Sequence, residues 1–129
     1  MKAALRQALT FGAVGVVGYV VDASILFAVT PALGAYAGRV VSYLCAATTT
    51  FALNRRLTFG VRGRAGLIRQ WAAFVIANLA GGAVNFAVYA ALIAAAPAPL
   101  DNPWLAVAAG SLAGMALNFT LSKRVVFRD

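Results

Sequence analysis

Two short segments of the chain repeat one polar order: Asn54-Arg55-Arg56 with Phe59 beyond, and Ser122-Lys123-Arg124 with Phe127 beyond. Each sets a hydrogen-bonding side chain before two cations, then an aromatic ring three residues after the second cation. Arginine offers a planar fork to phosphate oxygens and lysine a compact charge. Arg55, Arg56, Lys123 and Arg124 are therefore candidate ligands for a lipid phosphate, with Phe59 and Phe127 as anchors at the acyl boundary. The blander reading is charge that only fixes membrane orientation and attracts anionic lipid without specificity. Recurrence with the same polar and aromatic flanks favours the specific site. Arg62, Arg64 and Arg69 lack such flanks and read as general surface charge.

Asp22 is the one acidic residue inside a long apolar run. A charged side chain at the bilayer centre costs roughly +2.5 to 3.5 kcal/mol on insertion scales unless it finds a cavity, a partner or a proton. It must face the interior of a helix bundle, where it either loads and unloads a proton during transport or forms a structural pair. Arg39 is the best cationic partner, and Asn85 is the alternative polar one. Ser42, Ala46, Thr50 and Asn54 recur every four residues, as do Gly110, Gly114, Asn118 and Ser122. Residues at that spacing share a helix face. Such stripes are either seams where backbones pack closely or, through Thr50, Asn54 and Asn118, a polar path toward the basic end.

Little else invites chemistry. The chain has no histidine, and its single cysteine, Cys45, has no companions for a disulfide or a metal site. No nucleophile and general-base pair stands out. The expectation is a protein that is not an enzyme and uses no metal or cofactor. Nucleic acid is not an expected partner, because the positive charge hugs apolar runs and no nucleic-acid-binding motif accompanies it.

Composition defines the framework that holds these residues. Of 129 residues, 63% are hydrophobic and 11% charged, against about 25% charged in ordinary soluble proteins. Four apolar stretches, 8–29, 34–53, 71–96 and 103–121, occupy most of the length. The first, at 1.5 Å per residue, covers about 33 Å, enough for a hydrocarbon core of about 30 Å. Lys2 and Arg6 before that run also suit a signal peptide, but the run is long for a signal core and has a counterpart later in the chain.

Ten of the eleven basic residues fall in three groups: Lys2 and Arg6; Arg55, Arg56, Arg62, Arg64 and Arg69; and Lys123, Arg124 and Arg128. With four spans all three groups share one face, which the positive-inside rule makes cytoplasmic, and Arg39 lies toward the other. Pro31 with Gly34, and Pro97, Pro99 and Pro103, suit the outer connections, where proline ends helices. Tyr36, Trp71 and Trp104 fall near the membrane interfaces.

The chain is also duplicated. Arg6, Gln7, Phe11, Gly15, Gly18 and Asp22 correspond at an offset of 63 to Arg69, Gln70, Phe74, Asn78, Gly81 and Asn85. Phe51, Leu53, Arg55, Arg56 and Phe59 correspond at an offset of 68 to Phe119, Leu121, Lys123, Arg124 and Phe127. The expected architecture is an all-α membrane protein: a single transmembrane domain over 1–129, with four transmembrane helices in two parallel tandem hairpin repeats (about 6–59 and 69–127) and both termini cytoplasmic. Two spans per repeat keep both repeats in one orientation.

The opening RQALTFGAVGVVGYVVDASILF, the internal TTTFALNRRLTF and the terminal NFTLSKRVVF together resemble the GtrA-like family of small membrane proteins. That resemblance implies a part in cell-surface polysaccharide synthesis: moving polyprenyl-phosphate-linked sugars across the cytoplasmic membrane for glycosyltransferases on the outer side. It points to Asp22, Asn54, Arg55, Arg56, Asn118, Lys123 and Arg124; Asn85 joins only through the repeat. The expected partners are a polyprenyl-phosphate sugar lipid, anionic membrane lipids, a glycosyltransferase and further copies of the chain, since one copy has little room for a sealed path. Two other functions fit the residues. One is a small proton-coupled exporter of lipophilic cations using Asp22, and the other is a membrane chaperone or anchor for a glycosyltransferase.

Overall fold

A computed structural model describes residues 2–127, apart from the side chain of Trp104. Arg128 and the Trp104 ring, assigned from the sequence to a basic group and to an interface, lie outside the described residues. The described elements are helical: α1 covers Lys2–Leu53, α2 Leu67–Ala95 and α3 Pro103–Leu121. α1 and α3 each run on into a π-helical turn, Asn54–Thr58 and Ser122–Val126.

Among the described residues three runs are long and apolar enough to cross a membrane: Lys2–Thr58 with 57 residues, Leu67–Ala95 with 29 and Leu105–Val126 with 22. The shortest extends about 33 Å, matching a hydrocarbon core of about 30 Å. The first would extend about 86 Å if straight, and it is not straight. Gly34, at φ 75° and ψ 172°, is not helical, in a region that glycine enters without the steric cost a Cβ would bring. Gly18 lies against Thr50, and Phe11 meets Phe59 edge to face at 6.3 Å between ring centroids. These contacts can form only if α1 folds back on itself, with arms 2–33 and 35–53 antiparallel.

This corrects the expected helix end. Pro31 does not terminate the first arm but sits inside it, three residues before the break. Proline removes one backbone donor near the arm's end, yet reversal of direction needs the positive φ that Gly34 supplies. The later prolines fall where expected. Pro97 follows the end of α2, and Pro103 opens α3, where the missing N–H would have had no partner within the helix. The Asn102 carbonyl accepts the Ala106 amide at 2.9 Å, closing the first turn.

The chain divides into two compact units, Met1–Trp71 and Ala72–Asp129, close to the start of the second sequence repeat. In the first unit the predicted stripe faces inward: Ser42, Ala46 and Asn54 are buried and Thr50 half-buried. In the second, Gly110, Gly114 and Ser122 are buried and Asn118 half-buried. Small residues let backbones approach closely, which holds helices together where the solvent is as apolar as the side chains. The other faces carry exposed apolar side chains such as Phe27, Ile76 and Phe86, as lipid contact requires.

Two contacts in the first unit have repeat counterparts in the second. Gly18 against Thr50 corresponds to Gly81 against Asn118, and Phe11 with Phe59 to Phe74 with Phe127, whose centroids lie 5.9 Å apart. The π-helical turns produce the second match. The Phe59 amide donates to the Asn54 carbonyl at 3.0 Å, and the Phe127 amide to the Ser122 carbonyl at 2.9 Å. An extra residue in a turn rotates the chain beyond it by about 100°, and this turns each phenylalanine ring back onto the first arm of its own unit.

Candidate functional site

The two basic pairs sit at the second and third positions of the two π-helical turns. Arg56 and Arg124, equivalent by the repeat, are both exposed. Their predecessors differ. Arg55 is only 9% exposed and spends its guanidinium on its own unit: Nε donates to Gln70 Oε1 at 3.0 Å, one terminal nitrogen to the Val61 carbonyl at 3.2 Å, and the other to the Gly63 carbonyl. Lys123 is exposed, with its ammonium 5.8 Å from the centroid of the Phe119 ring, within reach of a cation–π attraction. Beside these cations, Asn54 is buried and its Oδ1 accepts the Thr58 hydroxyl at 2.8 Å. Ser122 is fully buried in the equivalent place. Of the four expected phosphate ligands, then, Arg56, Lys123 and Arg124 are presented outward and Arg55 holds the chain.

In the first unit Arg39 donates to Asp22 Oδ2, with the Arg39 side chain 55% exposed and that of Asp22 19%. The pair is local to the fold-back, since both residues lie on α1 on opposite sides of Gly34. Asp22 Oδ1 is buried with no hydrogen-bond partner among the described residues, as is the Tyr43 hydroxyl. Thr50 donates to the Ala47 carbonyl at 3.1 Å, while its methyl group fills the space over Gly18.

The second unit carries no charge in the equivalent places. The residues equivalent to Asp22 and Arg39 are Asn85 and Val107. Asn85 packs its backbone carbonyl and side-chain oxygen against Gly110. Asn118 donates from Nδ2 to Asn78 Oδ1 at 3.5 Å, and Asn78 donates to the Phe74 carbonyl at 2.9 Å. Asn118 Oδ1 is buried without a hydrogen-bond partner among the described residues. An unpaired buried acceptor is costly, so the asparagine amides of this unit form a polar seam with one oxygen left over.

The GtrA/DPMS transmembrane-domain family matches residues 10–127, which takes in both fold-backs and both π-helical turns. The chain belongs to this family. A comparison with curated proteins returns no significant match. With three apolar helical runs, this GtrA/DPMS domain is a multi-pass membrane protein.

Two residues in this GtrA/DPMS chain make contacts that the sequence reading did not assign to them. Gln70 anchors Arg55; its signal was the repeated Arg-Gln pair at 6–7 and 69–70, which marks a polar start to each repeat without naming its partner. Trp71 donates from Nε1 to Thr48 Oγ1 at 3.0 Å, a specific bond beyond the interfacial preference of its ring. Gly15, one of the repeated positions, is exposed with nothing near the position of a Cβ, whereas Gly18 packs against Thr50.

Proposed function

We propose that this GtrA/DPMS-family protein moves a polyprenyl-phosphate-linked sugar across a bacterial-type cytoplasmic (inner) membrane for cell-surface polysaccharide synthesis. The observation that carries this reading is the family match over nearly the whole chain, which supports a role in handling polyprenyl-phosphate sugars. In the proposed topology the arms of α1, α2 and α3 make four spans in two parallel hairpins, with both termini cytoplasmic. Headgroup phosphate is met at the cytoplasmic surface by Arg56 in the first unit and by Lys123 and Arg124 in the second. Asn54, Thr50, Asn85 and Asn118 offer hydrogen bonds that replace part of the water lost from the sugar, and the prenyl chain stays in lipid. Asp22 and Arg39 brace the first fold-back.

No covalent step enters this mechanism, and no cofactor is needed. A homo-oligomer supplies the enclosure one copy is too small to form, and a glycosyltransferase receives the lipid. A carboxylate already engaged by a guanidinium is poorly placed to take a lipophilic cation, which favours this reading over the cation exporter.

The test is a leaflet-accessibility assay in vesicles containing the purified chain and a defined polyprenyl-phosphate sugar. Losing a charge-assisted hydrogen bond costs about 1.5–3 kcal/mol. Arg56→Gln and Arg124→Gln are each expected to slow translocation about tenfold or more. Equal rates in the wild type, both variants and protein-free vesicles would overturn the proposal.

A further inference from the structure

The first unit carries eight basic residues and one acid, Asp22, which Arg39 already engages. Its remaining cations therefore have no carboxylate within the unit to answer them. Among them Arg55 is unusual in being buried, with uncharged acceptors for its three hydrogen bonds. Burying a guanidinium costs free energy unless its donors find acceptors, and here three of its five N–H groups find theirs, two of them on the connection 59–66. The carbonyls of Val61 and Gly63, two residues apart, both turn toward Arg55, while Gln70 at the start of α2 fixes the far end. Gly60 and Gly66, at φ 68° and 67°, bracket the segment, and the Leu67 amide closes a turn onto the Arg64 carbonyl at 3.4 Å. Arg62 and Arg64, at the positions following the two captured carbonyls, are exposed. A short connection is thus held from within, and with it the backbone that carries two exposed arginines.

We propose that Arg55 preforms the segment 59–66 as a seat for the phosphate of an anionic phospholipid headgroup, with Arg62 and Arg64 as its ligands. Preorganisation reduces the ordering cost that a mobile loop would incur on binding, and paired arginines suit phosphate oxygens. Arg55 is the positioning residue: it does not touch the lipid but sets the geometry of those that do. The seat reads the surrounding leaflet and is independent of the translocation reading, because it uses neither Arg56 nor Arg124.

The experiment is native mass spectrometry of the full chain in neutral detergent, titrated with short-chain phosphatidylglycerol. Phosphatidylcholine of equal chain length and inorganic phosphate serve as parallel probes. The wild type is expected to hold one phosphatidylglycerol about tenfold more tightly than phosphatidylcholine, roughly the 1.4 kcal/mol that separates decades of affinity. The double variant Arg62→Gln with Arg64→Gln should lose that preference. So should Arg55→Lys, which keeps the charge but not the three-way grip. Gln70→Leu removes one anchor and no charge; it should reduce the preference about threefold and serves as the second variant should Arg55→Lys fail to fold. Lys2→Gln with Arg6→Gln removes as much exposed charge elsewhere in the unit and should leave the preference intact.

Three results would overturn the proposal. In one, folded Arg55→Lys or Gln70→Leu binds like the wild type; in another, the Lys2 and Arg6 variant loses as much as the Arg62 and Arg64 variant, which is the signature of unspecific charge. In the third, inorganic phosphate displaces the lipid at equal concentration, giving the seat to the free ion.

Discussion

Arg39 and Asp22 are 17 residues apart and meet because α1 reverses between them. The second unit has Asn85 and Val107 in the same places and folds back without a charge, so it supplies a control built into the chain. Asp22→Asn leaves the guanidinium of Arg39 without its carboxylate in the membrane. Breaking a fully buried pair costs about 3–5 kcal/mol and an exposed one about 0–1; with Arg39 half exposed, the expected loss is about 1–3 kcal/mol. Adding Arg39→Val, which copies the second unit, should recover most of it. Unfolding titrations of the two variants in a mild detergent check this. If the double variant is no more stable than the single, the pair does not act as a local brace. At this scale the sequence was informative about partners but not about roles. Asp22 needed a cavity, a partner or a proton, and Arg39 was the one cation away from the basic groups. Arg55 and Lys123 were equivalent by spacing but not by environment, because the acceptors that bury Arg55 come from a connection whose path no periodicity describes.

Among the helices, backbone approach decides which glycines matter. A Cβ at Gly114 would lie 2.6 Å from the Gly81 carbonyl oxygen, and a backbone group cannot rotate aside, whereas a Cβ at Gly82 meets nothing within 4 Å. Gly114→Ala should cost about 1–3 kcal/mol, as overpacking does. Gly82→Ala should stay within about 1 kcal/mol of the wild type, with the helix propensity of alanine in its favour. Thermal denaturation of both in detergent compares them directly, and similar losses would contradict the packing described. The reversal of α1 makes a parallel case. Gly34→Ala places a Cβ at φ 75° and ψ 172° and should cost about 1–3 kcal/mol, while Pro31→Ala, inside the helix, should be tolerated. The inward stripes and the duplication were legible because spacing of four residues and fixed offsets survive in sequence. The π-helical turns were not: one extra residue per turn changes hydrogen-bond partners without changing composition. The choice of Gly34 over Pro31 as the breaking point was hidden for a related reason, since both punctuate helices and only the required φ separates them.

For the whole molecule, the proposed topology has two fold-backs of one design, each ending in a cation-bearing turn, entering the membrane in the same sense. The family match spans both, and the equivalence of their internal contacts supports a common design. The orientation is tested by accessibility. In a Cys45→Ser background, single cysteines are placed at Tyr36, Arg56 and Arg124 and exposed to a thiol reagent that cannot cross the membrane, first in intact cells and then in inverted vesicles. Position 36 is expected to react only from outside, and positions 56 and 124 only from inside. Reaction of positions 56 and 124 from opposite surfaces would contradict the proposed common orientation of the two cation-bearing turns.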